Sequence, residues 1–186
     1  FDDVDIKKVV VKNSKLYVNR EDGFIGTSLR REEYVEDCSD IDDIIVFTSN
    51  GDMIVTKVDS KKFVAKNILY VSVFKKRDSR TIYNMIYKEG KSGVSYIKRF
   101  NVTGVTRDKT YNLTSQNLKT KILHFSANPN GEAEIVTIQL RQSGSIKKLK
   151  WDLDFADLAI KGRSVKGNIV SKYSVNKVIF KEKGLS

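Results

Sequence analysis

The sequence contains a single cysteine, Cys38, so one chain can form no internal disulfide. The lack of a disulfide framework favours a reducing compartment, and we expect a cytoplasmic protein. The sole histidine, His124, cannot build a structural zinc site with Cys38 alone, because such sites need further ligands. No stretch approaches the roughly 20 consecutive apolar residues of a membrane helix, and the N-terminus lacks the layout of a signal peptide. We therefore expect no membrane partner.

Motifs of known catalysts are also missing. Neither a Ser-His-Asp set nor a phosphate loop of the GxxxxGKS type can be assembled from the sequence. The acidic cluster of Glu36, Asp37, Asp40, Asp42 and Asp43 has carboxylates that could bind Ca²⁺ or Mg²⁺, but its spacing lacks the Gly and Glu of an EF-hand loop. We expect a solvated loop, or a patch that repels polyanions. The sequence predicts a domain that is non-catalytic on its own and has no cofactor.

Positive charge is abundant and unevenly distributed. Residues 1–60 hold 8 Lys and Arg against 14 Asp and Glu, a net of −6, and residues 61–186 hold 26 against 9, a net of +17, which together give +11. Such a field attracts a polyanion and orients it toward the C-terminal part of the chain. The alternative is that the lysines keep a β-rich surface soluble and prevent edge-to-edge strand pairing.

Short strands separated by turn signals account for most of the sequence, which predicts an all-β fold. In residues 135–141, Val136, Ile138 and Leu140 share one face and polar side chains share the other. Asn50-Gly51 is a strong hairpin signal, because both residues tolerate positive φ. Helical signal is confined to about two turns near residues 152–158. The predicted strands are 9–11, 15–19, 24–29, 44–48, 53–58, 68–74, 81–87, 95–100, 122–126, 135–141, 145–151, 169–173 and 175–181.

One hairpin pattern recurs, in which a turn glycine is followed within a few residues by Lys or Arg. A repeated β-hairpin that ends in positive charge predicts a β surface that binds a polyanion. The paired strands would fix the positions of the cations, and the cations would attract the polyanion. The copies are Gly51 with Lys57, Gly93 with Lys98 and Arg99, Gly144 with Lys148 and Lys150, and Gly167 with Lys172.

Three segments carry a resemblance to a known family. Residues 43–57, Asp-Ile-Ile-Val-Phe-Thr-Ser-Asn-Gly-Asp-Met-Ile-Val-Thr-Lys, resemble the repeat of the C-terminal domain of bacterial type IIA topoisomerase A subunits. Residues 159–170 are similar to the Gly-Arg loop and the Gly-led strand of that family, and residues 97–109 are similar to topoisomerase IV sequences of the Bacteroidetes type. The resemblance spans about residues 9–180.

The resemblance implies a fold and a function. The fold is a β-pinwheel, a propeller-like array of four-stranded blades, and this chain has room for about four blades in a single domain over residues 1–186. The implied function is to bind and bend duplex DNA and present it to the strand-passing core. The implied partners are duplex DNA, the rest of the topoisomerase A subunit and the ATPase B subunit, in a cytoplasmic, chromosome-associated enzyme.

The resemblance also places the chemistry outside this fragment. The ATP-dependent enzyme, an isomerase that changes DNA topology, has its catalytic tyrosine in an upstream domain, and ATP and Mg²⁺ are expected for the whole enzyme only. The A subunit of gyrase carries a Gln-Arg-Arg-Gly-Gly-Lys-Gly-type box for chiral wrapping, which this sequence lacks. The nearest segment is residues 161–167, Lys-Gly-Arg-Ser-Val-Lys-Gly, so the topoisomerase IV type is implied.

The candidate DNA contacts are cations at intervals along a β surface, near small residues where a backbone could approach a phosphate. Lys75-Lys76-Arg77 is a further basic run that could be a contact or a solvated loop. The predicted DNA-binding residues are Lys98, Arg99, Arg107, Lys147, Lys148, Lys150, Lys161, Arg163, Lys166 and Lys172.

Three alternatives are open. A propeller-like protein-interaction module would use the acidic N-terminal side and the basic remainder to bind separate proteins. A single-strand or RNA binder would stack unpaired bases on the aromatics that interleave with the basic residues, although core filling is their commoner use. A glycosidase-like propeller would need paired acids in a cleft, and Asp152 with Asp154 is a nearby pair.

Overall fold

The computed structural model describes residues 13–76, 78–114, 119–142, 144 and 149–184. These residues fall into two compact units. The first unit comprises the described residues up to Ser49 with residues 53–76 and 105–111, and the second comprises residues 50–52 with the described parts of 77–104 and 112–186. That residues 1–186 act as a single domain stays a prediction.

The regular secondary structure of the described residues is almost entirely β, which confirms the predicted fold class. They include one turn of 3-10 helix, Phe155–Asp157. The strands are β1 (Ser14–Asn19), β2 (Phe24–Gly26), β3 (Glu33–Cys38), β4 (Asp43–Thr48), β5 (Asp52–Lys57), β6 (Lys62–Phe63), β7 (Ile68–Phe74), β8 (Ile82–Lys88), β9 (Ser95–Phe100), β10 (Thr110–Asn112), β11 (Lys121–Asn128), β12 (Ala133–Leu140), β13 (Lys150–Asp154), β14 (Ile160–Lys161), β15 (Asn168–Ser171) and β16 (Val175–Gly184).

These strands form four sheets. Their orders are β3-β1-β2-β6, β10-β5-β4-β7, β11-β8-β9-β14 with β15 also on β9, and β13-β12-β16. The first sheet and nearly all of the second lie in the first unit, and the other two lie in the second unit. The number of sheets agrees with the expectation of about four blades.

The first unit is organised by β4, whose six residues are all buried. It lies between β5 and β7, and the predicted hairpin is confirmed by the antiparallel pairing of β4 with β5, which sets Phe47 opposite Met53. Apolar side chains from several strands form the core, and their removal from water stabilises the unit. This core contains Leu16, Val18, Ile25, Cys38, Ile44, Val46, Ile68 and Val71.

The strand predicted over residues 24–29 ends at Gly26. The amides of Thr27 and Ser28 donate to the carbonyls of Asp59 and Ser60, at 3.0 and 2.9 Å. A Cβ at Gly26 would lie 2.1 Å from the Ser60 carbonyl oxygen, so only glycine permits this approach. Long-range backbone contacts of this kind leave no local sequence signal.

Two further predictions differ from the structure. Strand β3 was not predicted, because its sequence Glu-Tyr-Val-Glu-Asp-Cys lacks apolar alternation, yet it pairs with β1 at a sheet edge. The prediction of a two-turn helix near residues 152–158 is wrong, because β13 runs through Asp154. Asp154 then caps a single 3-10 turn by accepting a hydrogen bond from the Ala156 amide. The predicted strand 9–11 and residues 145–148 of the next lie outside the described residues.

The second unit is organised by β9 and β12. All six residues of β9 are buried, and they include Lys98 and Arg99. Strand β12 lies between β13 and β16, and the apolar face predicted from its alternation is buried. The core of this unit contains Ile86, Ile97, Ala133, Val136, Ile138, Leu140 and Phe155.

Candidate nucleic-acid interface

A basic loop leaves the edge of β9. Strand β14 pairs with β9 in parallel, with Ile160 opposite Arg99, and β15 pairs with β9 antiparallel, with Ile169 opposite Tyr96. Two short strands thus occupy successive parts of one strand edge, and the chain between them has to leave the sheet. We call residues 161–167 the basic loop, because it contains Lys161, Arg163 and Lys166.

The basic loop is held by its own turn and by close packing at its end. The Val165 amide donates to the Gly162 carbonyl at 3.1 Å. At the end of the loop, the Gly167 amide donates to the Tyr87 hydroxyl at 3.4 Å. A Cβ at Gly167 would lie 2.6 Å from the Ile97 carbonyl oxygen, so the approach of the loop to β9 depends on glycine.

Lys98 lies beneath this loop and is only 2% exposed. Its Nζ donates to the carbonyls of Leu113, Arg163 at 2.7 Å and Val165 at 3.2 Å, and it lies 4.9 Å from the centre of the Phe100 ring. Burial lowers the pKa of Lys98 to about 8. The assignment of Lys98 to a phosphate contact stays a prediction, which its placement does not favour, because its three donors face protein carbonyls and its charge is shielded from solvent.

Arg99 is also buried, at 5% exposed. Its Nε donates to the Asn84 side-chain oxygen at 3.1 Å, and its Nη2 donates to the Gly131 carbonyl at 2.8 Å. The assignment of Arg99 to the DNA interface stays a prediction, which its burial and its hydrogen bonds within the protein do not favour.

Asn84 connects Arg99 to a buried carboxylate, Glu134, which is 2% exposed. Glu134 Oε1 accepts from Asn84 at 3.3 Å and from Ser126 Oγ, and it lies 2.7 Å from His124 Nε2. Burial opposes ionisation of Glu134, but hydrogen bonds from His124, Ser126 and Asn84 outweigh that effect and hold its pKa below the usual value. No local sequence pattern marks this network, because its members come from four strands, β8, β9, β11 and β12.

The remaining cations of the basic loop are accessible to different degrees. Lys161 and Arg163 are half-buried and Lys166 is exposed. Lys161 Nζ donates to the Asn168 side chain at 3.3 Å. Lys166 Nζ lies 3.4 Å from a Glu89 carboxylate oxygen and 4.6 Å from the centre of the Tyr96 ring. Hydrogen bonds to Tyr96 and Glu89 raise the pKa of Lys166, so it is fully ionised at neutral pH.

Accessible positive charge continues beyond the basic loop. Lys172 is exposed and follows β15 directly. Residues 158–181 hold six Lys and Arg and no Asp or Glu. Lys150, at the start of β13, is exposed as well. The second unit thus presents several of the predicted cations on or near one continuous stretch of chain.

The other predicted contacts are placed differently. Arg107 belongs to the first unit, and its Nε lies 2.8 Å from Asp43 Oδ1, although half of the arginine side chain is exposed. Lys147 and Lys148 lie outside the described residues. In the run that begins at Lys75, Lys75 and Lys76 are exposed and residue 77 is outside the described residues.

The acidic cluster of the first unit is engaged in local contacts. The Tyr34 hydroxyl donates to Asp37 at 2.7 Å, and Asp42 accepts from the Ser39 amide at 2.8 Å. Among the described residues, no group of three or more His, Cys, Asp or Glu side chains is arranged to hold a metal ion. Within the same residues, no helix has the length and hydrophobicity needed to cross a membrane.

Half of the ten aromatics that suggested base stacking are core residues. Tyr83, Tyr87, Tyr96, Phe100 and Phe155 are buried, and several pack against one another, such as Tyr87 with Tyr96 at 5.4 Å between ring centres. Exposed apolar side chains that no sequence pattern marked accompany the basic stretch of residues 158–181. These side chains are Ile160, Val165, Ile169, Tyr173, Ile179 and Phe180.

Comparison with known proteins gives three findings. A family model described as the topoisomerase C-terminal domain of Bacteroidota matches residues 15–183. The A subunit of DNA topoisomerase 4 of Borreliella burgdorferi (strain ATCC 35210 / DSM 4680 / CIP 102532 / B31) is 29% identical over 178 residues, which cover 95% of this chain and 26% of that protein. The crystal structure of the C-terminal domain of DNA topoisomerase IV aligns with a TM-score of 0.52 and 11% identity over 92% of this chain and 62% of that chain.

Proposed function

This chain belongs to the Bacteroidota family of topoisomerase C-terminal domains, and on that premise we propose that it binds and bends duplex DNA through sequence-independent contacts to phosphates. The bound segment would be presented to the strand-passing core of a topoisomerase IV. Cations at intervals along a rigid path supply attraction without reading bases. The contribution of this domain is non-catalytic.

The observation that carries the proposal is the acid-free basic stretch of residues 158–181. Its loop is fixed by strand pairing on both sides, so its cations are presented by ordered backbone. A preorganised cation loses less conformational entropy on binding a phosphate than a mobile one does. An arginine in such a loop can bind two phosphate oxygens at once.

The proposed interface differs from the set predicted from sequence. Its centre is the basic loop with Lys172, and Lys150 and Arg107 are outlying contacts. Lys147 and Lys148 stay in the proposal because the sequence places them shortly after the turn glycine Gly144. Lys98 and Arg99 are removed, because both are buried and hydrogen-bonded within the protein.

The proposed partners extend beyond DNA. The chain spans about a quarter of the length of the curated relative it matches. We therefore propose that it acts as one part of a topoisomerase A subunit, together with the rest of that polypeptide and the ATPase B subunit. Strand breakage, ATP and Mg²⁺ would belong to the whole enzyme, in the cytoplasm and on the chromosome.

A protein-interaction module is the second candidate. It is favoured by the exposed apolar side chains beside the cations, of which Ile169, Tyr173 and Phe180 are 58%, 55% and 51% exposed. Exposed apolar patches rimmed by polar residues often mark protein interfaces. Under this alternative, the same surface would bind an acidic protein instead of DNA.

A charge-matched comparison tests the proposal. The triple variant K161Q, R163Q and K166Q removes the cations of the basic loop. Its control, K57Q, K61Q and K66Q, removes three exposed cations from the first unit. Because each phosphate contact contributes about 0.9 to the slope of log K against log salt, we expect the loop variant to lower that slope by roughly 2 to 3.

The assay is fluorescence anisotropy of a labelled linear duplex over a salt series. The control triple should weaken binding slightly through the overall field and leave the slope almost unchanged. Equal loss in both variants would show that net charge alone attracts DNA. Unchanged binding in both would place the DNA contacts outside the basic loop, and absent binding by the wild-type chain would favour the protein-interaction module.

A further inference from the structure

The ammonium of Lys98 connects β9 to the basic loop through hydrogen bonds. Its three donors are all used, and two of the three acceptors are the carbonyls of Arg163 and Val165, at 2.7 and 3.2 Å. The third acceptor is the carbonyl of Leu113. One side chain therefore ties two positions of the loop to a strand that is buried over its whole length.

Filling space does not explain a lysine at this position. Methionine or leucine would fill a buried strand site without desolvating a cation. Among the described residues, Lys98 makes no ion pair with a carboxylate, and its charge is balanced by three carbonyl dipoles and the face of the Phe100 ring. What lysine adds over an apolar residue is three hydrogen-bond donors at the end of a long stem.

The two loop carbonyls determine where the loop side chains lie. Because the carbonyls of Arg163 and Val165 face inward onto Lys98, the peptide units around Ser164 are fixed relative to β9. Ser164, Val165 and Lys166 are all exposed, so these contacts hold a solvent-facing segment from beneath. The turn bond from Val165 to Gly162 is local to the loop and cannot by itself fix the loop on the sheet.

We infer that Lys98 is a positioning residue, which touches no DNA and holds the basic loop in the geometry that contacts phosphates. The second part of this inference, that the loop contacts phosphates, rests on the proposed function. Its first half, the anchoring of the loop, can be measured without DNA. Failure of the inference and failure of the proposed function are therefore distinguishable.

The first test compares K98M with the wild-type chain by hydrogen exchange and limited trypsin digestion. K98M keeps the volume of the stem and removes all three donors. We expect amides 163–166 to exchange at least about tenfold faster and cleavage after Arg163 and Lys166 to accelerate similarly, with β12 amides unchanged. K98R, which keeps donors toward the carbonyls, should restore most of the protection. Unchanged loop exchange in K98M would overturn the inference.

The second test uses a linear duplex as the probe. K98M should lower DNA affinity about tenfold and reduce the salt slope by roughly 1 to 2, although no exposed cation has been removed. A wild-type chain that fails to bind DNA while K98M still loosens the loop would refute the proposed function and keep the anchoring role. Equal DNA binding by wild type and K98M, with the loop loosened, would overturn the positioning role.

A third measurement covers the case in which K98M does not fold. In the wild-type chain, the Lys98 ammonium should give a ¹⁵N resonance at pH 6 whose hydrogens exchange slowly, because all three are bonded to carbonyls. The exposed Lys172 serves as the fast-exchanging comparison. A Lys98 ammonium that exchanges as fast as that of Lys172 would overturn the anchoring role.

Discussion

Glu134 offers a quantitative test of how the second unit is held together. Three side-chain contacts from the described residues converge on Glu134 Oε1, from Asn84, Ser126 and His124. Replacing it with alanine removes the acceptor from the buried Asn84 and the half-buried Ser126 and His124. Asn84 would keep its contact with Arg99, so the damage should be centred on β11 and β12.

The magnitude follows from the contacts. Hydrogen bonds to a charged group contribute about 1.5–3 kcal/mol each when measured singly, and they are not additive. Removing one partner of a buried charged network costs about 3–5 kcal/mol. We therefore expect E134A to lower the free energy of unfolding by ~4 kcal/mol, a large part of the 5–15 kcal/mol typical of a domain.

The assay is urea unfolding followed by the emission of Trp151. This is the sole tryptophan, and it lies opposite Ile138 in the second unit, so its signal reports that unit. E134Q is the matched control, because its amide oxygen can take the place of Oε1 while the charge is lost. We expect a loss of roughly 2 kcal/mol for E134Q. An E134A loss below ~1 kcal/mol, or one equal to that of E134Q, would refute this account of the network.

The pH dependence has a definite sign. The pKa of Glu134 is lowered in the folded chain, so its contribution to stability is present above the usual value of 4.5 and is lost as the pH falls through the folded pKa. E134Q should therefore flatten the acid limb of a plot of unfolding free energy against pH. An acid limb of unchanged slope in E134Q would contradict the direction of this shift.

Three other predictions concern separate parts of the chain. G167A should lower the Trp151 urea midpoint, because its Cβ would lie 2.6 Å from a β9 carbonyl oxygen, whereas G162A should have little effect, since its nearest atom is 3.9 Å away. Cys38 is fully buried and burial raises its thiol pKa, so native labelling by a thiol reagent should be slow and limited by opening of the first unit. K166Q should lower the DNA salt slope by about 1 with only a small loss of stability from its broken pair with Glu89, whereas R99M should destabilise the second unit without lowering the slope.

One result would contradict each of these three predictions. Equal midpoints for the two glycine variants would show that β15 does not depend on the close approach. Rapid labelling of Cys38 in the native chain would contradict a closed core in the first unit. A slope lowered by R99M in a folded protein would return Arg99 to the DNA interface.

Strands and hairpins that are marked by alternation or by turn residues could be predicted from the sequence. Alternation in residues 135–141 identified the apolar face of β12, and Asn50-Gly51 identified the β4-β5 hairpin. Strand β3 was missed, because it lies at an edge and its charged residues carry no alternation. The 3-10 turn was overestimated as a helix, because pairing of β13 with β12 keeps the chain extended through Asp154.

Charge patterns located the basic loop but not the burial of its neighbours. Lys98 and Arg99 follow a turn glycine as the other predicted cations do, and nothing local marks them as buried. Lys98 is covered by the basic loop between β14 and β15, about 60 to 70 residues later in the chain, and Arg99 is buried against Asn84 and Gly131. Partners so distant along the chain cannot be deduced from the sequence of β9 itself.

The measurement that tests the central claim most directly is binding of the wild-type chain to linear duplex DNA across a salt series, with bent and negatively supercoiled competitors of the same length. We predict affinity that falls steeply with salt, is independent of base sequence and is higher for the deformed DNA. Binding that is absent near physiological ionic strength, or insensitive to salt, would contradict the DNA-binding role and favour the protein-interaction module.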